Sequence, residues 1–172
     1  SCLPKDVKAF SATAKKHIVD FSIINAVNVS NEARPIKIAS KIKNRFNNKL
    51  EGIVIGILGL SFKPNTDDIR NSTSIIIANE IYISGGKVKC FDPQAMANSK
   101  KVLSNLVYCN SAYEVCKGSN ALIIATEWNE FRALDLNKIK ELMKNPVIFD
   151  LRNIYNKEEV EGLGFEYHGI GK

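Results

Sequence analysis

Two stretches of this chain hold side chains whose types and spacing suit chemistry. The first is SCLPKD at the start, which sets Cys2 beside Lys5 and Asp6. A thiol reacts as its thiolate, so its ordinary pKa of about 8.5 must fall before it acts at neutral pH. A nearby lysine and a helix N-terminus both lower it. Lys5 supplies one, and a helix predicted to begin after Pro4 supplies the other. Read alone, Cys2 also fits a small residue at a terminus, and Asp6 fits a helix N-cap. The second stretch is Gly56–Ser72, GILGLSFKPNTDDIRNS. It leaves an apolar strand through a glycine turn and gathers Lys63, Asp67, Asp68 and Arg70 in one loop. A strand that ends in glycine and then polar residues brings backbone close to a ligand at the carboxyl end of a sheet. A diphosphate needs fixed positive charge, and neighbouring carboxylates hold such cations in place. The spacing Gly56-x-x-Gly59-x-Ser61 falls short of the full dinucleotide fingerprint. Arg152 follows another apolar run, so Lys63 and Arg152 are expected to meet at neighbouring strand ends. The alternative for either is a surface ion pair.

These residues need elements to position them. Over 6–48 the pattern is helical: Val7, Phe10, Ala14, Ile18, Phe21 and Ile24 recur at spacings of three and four and form one apolar stripe. The pattern resumes as Ile38, Ile42 and Phe46 after Pro35, which is expected to kink or break the helix. Such a stripe is expected to pack on another domain or a second subunit rather than on itself. From residue 51 strands and helices alternate. Apolar runs at 53–58, 87–92, 106–109, 121–126 and 146–150 read as strands, with 165–168 as an added edge strand. Residues 72–84, 95–104, 111–117 and 135–144 read as helices, with Asn71 or Ser72 and Asp135 as caps. Strands rich in Val and Ile on both faces imply a parallel sheet covered on both sides. Right-handed crossovers then give an α/β fold, a doubly wound Rossmann-like parallel sheet preceded by a long helix. The chain divides into a helical segment, 1–50, and a sheet domain, 51–172. Asp92 ends a strand where such a domain places a ribose-binding acid, but further along than the usual ~20 residues, so it reads as structural.

Composition narrows the class. Hydrophobic residues make up 45% and charged residues 24% of the 172, as in ordinary globular proteins. No apolar run reaches the ~18 residues of a membrane span, and no signal-peptide pattern opens the sequence. Cys2, Cys90, Cys109 and Cys116 lack metal-ligand spacing and only two histidines are present, so no metal site is expected. Free thiols point to a cytoplasmic location. The net charge of +6 lies largely in Lys37–Lys49, a run of five cations with no acid. That run reads as a solvated helix face; nucleic acid would need aromatic platforms beside it.

Several motifs resemble one family. SCLPKD resembles the catalytic-cysteine motif, usually GGSCFPKD, of the UDP-glucose/GDP-mannose dehydrogenases. FKPNTDDIRNS resembles that family's C-terminal signature, and VIFDLRNIY its FDGRNIY element. EWNEF at 127–131 and the ending GFEYHGIGK fit as well. The resemblance covers nearly the whole chain, in order. It implies that Cys2 is a nucleophile which attacks an aldehyde formed by a first hydride transfer. The thiohemiacetal then yields a second hydride, and the thioester is hydrolysed with help from Asp6. It implies that Phe62, Lys63 and Arg152 contact the sugar nucleotide and that Lys5 and Arg70 reach the cofactor, NAD. The substrate it implies is UDP-glucose, and the long helix is implied to join two copies in a homodimer. The family's N-terminal NAD-binding domain is not in this sequence, so the chain reads as a C-terminal portion, expected to be inactive alone. Leu3 and Leu151 depart from the usual Phe and Gly. Leu3 is common in the GDP-mannose branch, whereas FKPNTDD and GFEYHGIGK favour the UDP-glucose branch. The alternatives are a GDP-mannose enzyme, a non-catalytic dimeric sugar-nucleotide-binding module, or a regulatory NAD-binding domain.

Overall fold

The computed structural model describes residues 2–171, with residue 2 described by its backbone only. Two helices, α1 (Cys2–Lys16) and α2 (Ser22–Arg45), precede an alternation of strands and helices. The strands are β1 (Val54–Leu58), β2 (Lys87–Phe91), β3 (Val107–Tyr108), β4 (Ala121–Ile124), β5 (Val147–Asp150) and β6 (Glu166–Gly169). All are paired in parallel, in the order β3-β2-β1-β4-β5-β6. This is the doubly wound order, with its switch point between β1 and β4. Every residue of β4 and β5 is buried, as expected of central strands covered on both faces. The α/β Rossmann-like expectation therefore holds, including the edge strand.

The helices between strands are α3 (Thr73–Ile83), α4 (Met96–Val102), α5 (Ala112–Cys116), α6 (Asn129–Arg132), α7 (Leu136–Leu142) and α8 (Lys157–Gly162). Asp135 caps α7 by accepting from the amides of Asn137 and Lys138. Ser72 occupies the N-cap position of α3 but makes no cap bond. Its hydroxyl instead meets that of Ser74 at 2.8 Å, and Ser74 donates to the Leu60 carbonyl. The start of α3 is thereby tied to the loop after β1. The sequence reading lacked α6 and α8, which are too short to display a 3.6-residue period. Asn156 and Glu159 carried a usable signal for α8: a capping-box spacing, with the Asn156 side chain accepting from the Glu159 amide.

The helical segment corrects three expectations. First, the break falls at 17–21 and not at Pro35, which sits buried inside α2. Ile18 takes a left-handed φ of 57°, and the Val19 amide reaches back to the Ala14 carbonyl at 2.9 Å. Helices commonly close this way, though an isoleucine there gives no sequence signal. Second, α1 folds back on α2. Phe10 meets Phe21 edge-on at 4.9 Å, Ser11 donates to Asn25 at 2.5 Å, and Lys8 pairs with Glu32 at 2.9 Å. The stripe thus packs partly on itself, although Phe10, Ile18 and Ile23 stay exposed. Third, Asp6 lies inside α1 and caps nothing; it pairs with Lys5 at 3.6 Å.

The C-terminal half of α2 belongs to the sheet's core. Ala39 and Ile42 are fully buried with Ile77, Ala78 and Ile81 of α3, and Lys43 reaches Glu80 at 3.7 Å. The opposite face of the sheet is covered by α5 to α8, with Phe131, Ile139 and Val160 buried against Leu122 and Ile148. None of the helices is long and apolar enough to cross a membrane.

Candidate functional site

The carboxyl ends of β1, β4 and β5 meet at the switch point, and each supplies a loop. β1 runs into Gly59, whose φ is +95° and whose missing Cβ makes room for Thr126 after β4. The turn requires glycine on both counts. The loop is then held by Asp92, a buried carboxylate at the end of β2. One oxygen of Asp92 accepts from the Leu60 amide (2.7 Å), the Ser61 amide and hydroxyl (both 3.0 Å) and the Trp128 indole (3.2 Å). The other accepts from the Gln94 and Ala95 amides. With both oxygens committed, Asp92 is structural, as its position in the sequence suggested.

Arg152 follows β5 and fastens the three loops together. Its backbone amide donates to the buried Asp150 carboxylate at 3.0 Å. Its guanidinium donates from Nε to the Ala125 carbonyl at 2.9 Å and from Nη2 to the Phe62 carbonyl at 3.2 Å. Asp150 is itself fixed by the Tyr155 amide and the Tyr167 hydroxyl. Burial, followed by the neighbouring Asp150 charge, pushes the Tyr167 phenol upward, so it stays a donor.

In front of these loops lies a cleft of about 720 Å³, within the range of small-molecule sites. Phe62, Arg152 and Leu151 line its sheet side, while Lys5 of α1 and Asn31 and Pro35 of α2 line its helical side. The sequence reading brought Phe62, Arg152 and Lys5 forward, and the structure gathers them around one cavity. It missed the contribution of α2, whose Asn28, Asn31, Pro35 and Ile38 line the cleft. Their helical spacing was legible, but nothing in the sequence told which face would meet the sheet.

Other predicted residues lie elsewhere. Lys63 is exposed and is not part of the cleft wall that holds Arg152. The other charges of its loop gather away from that cleft. Arg70 forms a two-bond pair with Asp68 at 2.9–3.0 Å, which holds the Asp68 carboxyl down at about 2. Asp67 is taken by Asn98 at 3.0 Å. Arg70 lines a separate shallow depression with these residues. Asp6 is on α1, and Cys2 is the first residue of that helix. The Cys2 side chain, the predicted nucleophile, lies outside the described residues. No group of three or more metal-ligating side chains occurs among the described residues.

The sheet domain does not fit NAD in the manner of a dinucleotide-binding domain. That manner uses glycines to admit a pyrophosphate and a free acid after β2 to bind ribose. Here Gly59 admits Thr126, and Asp92 has no free oxygen.

The geometry agrees with what comparison finds. The model of the UDP-glucose/GDP-mannose dehydrogenase family, UDP binding domain, matches residues 56–157. A UDP-glucose 6-dehydrogenase of Rickettsia bellii (strain RML369-C) is 44% identical over 99% of this chain and 40% of its own length. That of Rhizobium meliloti (strain 1021) is 40% identical over 100% of this chain and 39% of its own. A UDP-glucose dehydrogenase structure from Pyrobaculum islandicum superposes with a TM-score of 0.84 at 30% identity, covering 99% of this chain and 37% of that one. The chain thus spans about 40% of the length of the first of these relatives. A parallel sheet in doubly wound order, a cleft at its switch point and a matching family model together establish that this chain belongs to the UDP-glucose/GDP-mannose dehydrogenase family.

Proposed function

We propose that this chain is the sugar-nucleotide-binding and thiol-bearing part of an NAD-dependent UDP-glucose 6-dehydrogenase. The observation that carries this reading is the cleft itself. It lies at the carboxyl edge of the sheet, lined by Phe62 and Arg152, and its far wall is shared by α2 and the first turns of α1, where Pro4 and Lys5 belong to the SCLPKD stretch. Ligands of doubly wound sheets bind at that edge. The free edge of the Arg152 guanidinium suits a diphosphate, since planar two-bond recognition of phosphate is what arginine does best. The relatives named above carry the same activity in their names.

On this reading Cys2 supplies the thiolate. Its place at the first residue of α1 puts it at the positive end of a helix dipole, which favours the ionised form. Asp6, one turn further on, positions the water that releases the acid product. NAD is held by a part of the protein outside this chain, with Lys5 and Arg70 reaching toward it, and it supplies hydride acceptance when bound. Phe62 and Arg152 hold UDP-glucose in the cleft, Lys63 reaches toward it from the exposed loop outside the cleft wall, and the exposed Phe10 and Ile23 of the helical hairpin suit a homodimer contact. We place the reaction in the cytoplasm.

Calorimetric titration of the chain with UDP, GDP and NAD tests the reading. UDP is expected to bind, GDP at least tenfold more weakly, and NAD not measurably. Binding of NAD without UDP would instead support a regulatory dinucleotide domain, and preference for GDP would support the GDP-mannose branch.

A further inference from the structure

One carboxylate beside the cleft is left incomplete. Glu127 follows β4, and its Oε2 lies 3.0 Å from Nε of Arg152. The Nε hydrogen, however, points to the Ala125 carbonyl. Oε2 is buried and accepts no hydrogen bond among the described residues. A sheltered carboxylate oxygen without a donor is unfavourable, and such an arrangement persists only where something else holds it. What holds Glu127 is the Arg152 charge, and the attraction acts in both directions. The two side chains are 37% and 33% exposed, so water screens the pair only in part.

We infer that Glu127 is a positioning and affinity-setting residue for anions in the cleft: it neutralises Arg152 while the cleft is free, so that an incoming phosphate must compete with it. Glu127 is not itself part of the cleft wall. It therefore acts through Arg152 and touches no ligand. A phosphate approaching the free edge of the guanidinium meets a nearly neutral pair, because Glu127 stays beside Nε while that edge is engaged. The carboxylate thus limits how tightly any phosphate is held. That suits a site that must release a charged product as readily as it takes up a charged substrate. The ligand class is defined by the shared chemistry, a phosphate or diphosphate group. The identification of that ligand as UDP rests on the reading proposed above.

The test compares Glu127→Gln with the unaltered chain, using inorganic pyrophosphate, UDP and uridine as separate probes. Glutamine keeps the shape and removes the charge. The expected result is pyrophosphate and UDP binding tightened by about 3- to 10-fold, as befits a partly screened charge pair, with uridine unchanged. In an Arg152→Gln background the same substitution should give no gain, because the effect runs through the guanidinium. A merely structural role for Glu127 would alter stability or all three probes alike. Unchanged or weakened pyrophosphate binding in Glu127→Gln would overturn the inference, as would pyrophosphate binding to neither protein. Tightened pyrophosphate binding without any UDP binding would uphold the inference and remove the UDP reading instead. Circular dichroism of each variant confirms that the fold persists. If Glu127→Gln fails to fold, the gain is read from Glu127→Ser.

Discussion

Gly59 and Thr126 stand so close that a Cβ on Gly59 would lie 2.5 Å from the Thr126 Cβ and 2.6 Å from its backbone nitrogen. The loops after β1 and β4 are thereby pressed together at the switch point, where the cleft begins. Neither a side chain nor a ligand can enter between them.

Gly59→Ala is accordingly expected to destabilise the chain by about 3 kcal/mol or more, since it combines a left-handed φ with a clash against backbone. Gly118→Ala shares a positive φ, +72°, but meets nothing within 4 Å. It should cost only about 1–2 kcal/mol. Urea unfolding of both variants separates strain from overlap; equal losses would show that the contact with Thr126 is unimportant.

Asp92→Asn turns one of two accepting oxygens into a donor facing N–H groups. The expected loss is about 2–4 kcal/mol, because buried donors are left without acceptors. The chain has one tryptophan, and Trp128 donates to this carboxylate, so its fluorescence reports directly on the site. An emission spectrum and unfolding midpoint like those of the wild type would show that the Asp92 network contributes little.

Arg152→Ala should weaken UDP binding by roughly 10- to 100-fold on the proposed function, through loss of charge-assisted bonds of about 1.5–3 kcal/mol. It should also lower stability, because it releases the Phe62 and Ala125 carbonyls. Lys63→Ala leaves the fold unchanged, so any loss of UDP affinity there would come from direct contact alone. Titration with UDP beside a thermal melt distinguishes the two.

Acid should loosen the contact between α2 and the edge strand. The Arg45 guanidinium donates to Glu166 at 2.6–2.8 Å, and this, with His168 beside it, lowers the Glu166 carboxyl below its ordinary 4.5. A depressed folded pKa means stability present above about pH 4.5 and lost as pH falls through the lower folded value. The pair is about 40% exposed, so the contribution is only about 0.5–1 kcal/mol. Glu166→Gln should remove that part of the acid dependence of the melting temperature and leave the rest.

Three thiols should be inert in the native chain. Burial pushes Cys90 and Cys116 up to about 12 and raises Cys109 as well. Alkylation at neutral pH followed by peptide mapping is expected to leave all three unmodified until denaturant is added. Native labelling at any of them would mean that its strand opens on the labelling timescale.

Sequence alone determined the sheet. The Val- and Ile-rich runs of β1, β4 and β5 can be stable only when buried on both faces, and a parallel sheet between helices is what achieves this. It also determined the loops that matter, because Gly59 and the polar residues after it mark a strand end by local chemistry. What it did not determine was where long-range partners would fall. Pro35 is an expected helix breaker by local rules, yet α2 runs through it because Ala39 and Ile42 are anchored in the core. The turn at Ile18 has no turn residue to announce it and exists because α1 packs back on α2. Most telling is the site. Lys63 and Arg152 look alike in sequence, each a cation after an apolar strand. Only the tertiary structure turned Arg152 inward onto the Phe62 and Ala125 carbonyls and left Lys63 outside, because those acceptors come from loops far away in the chain.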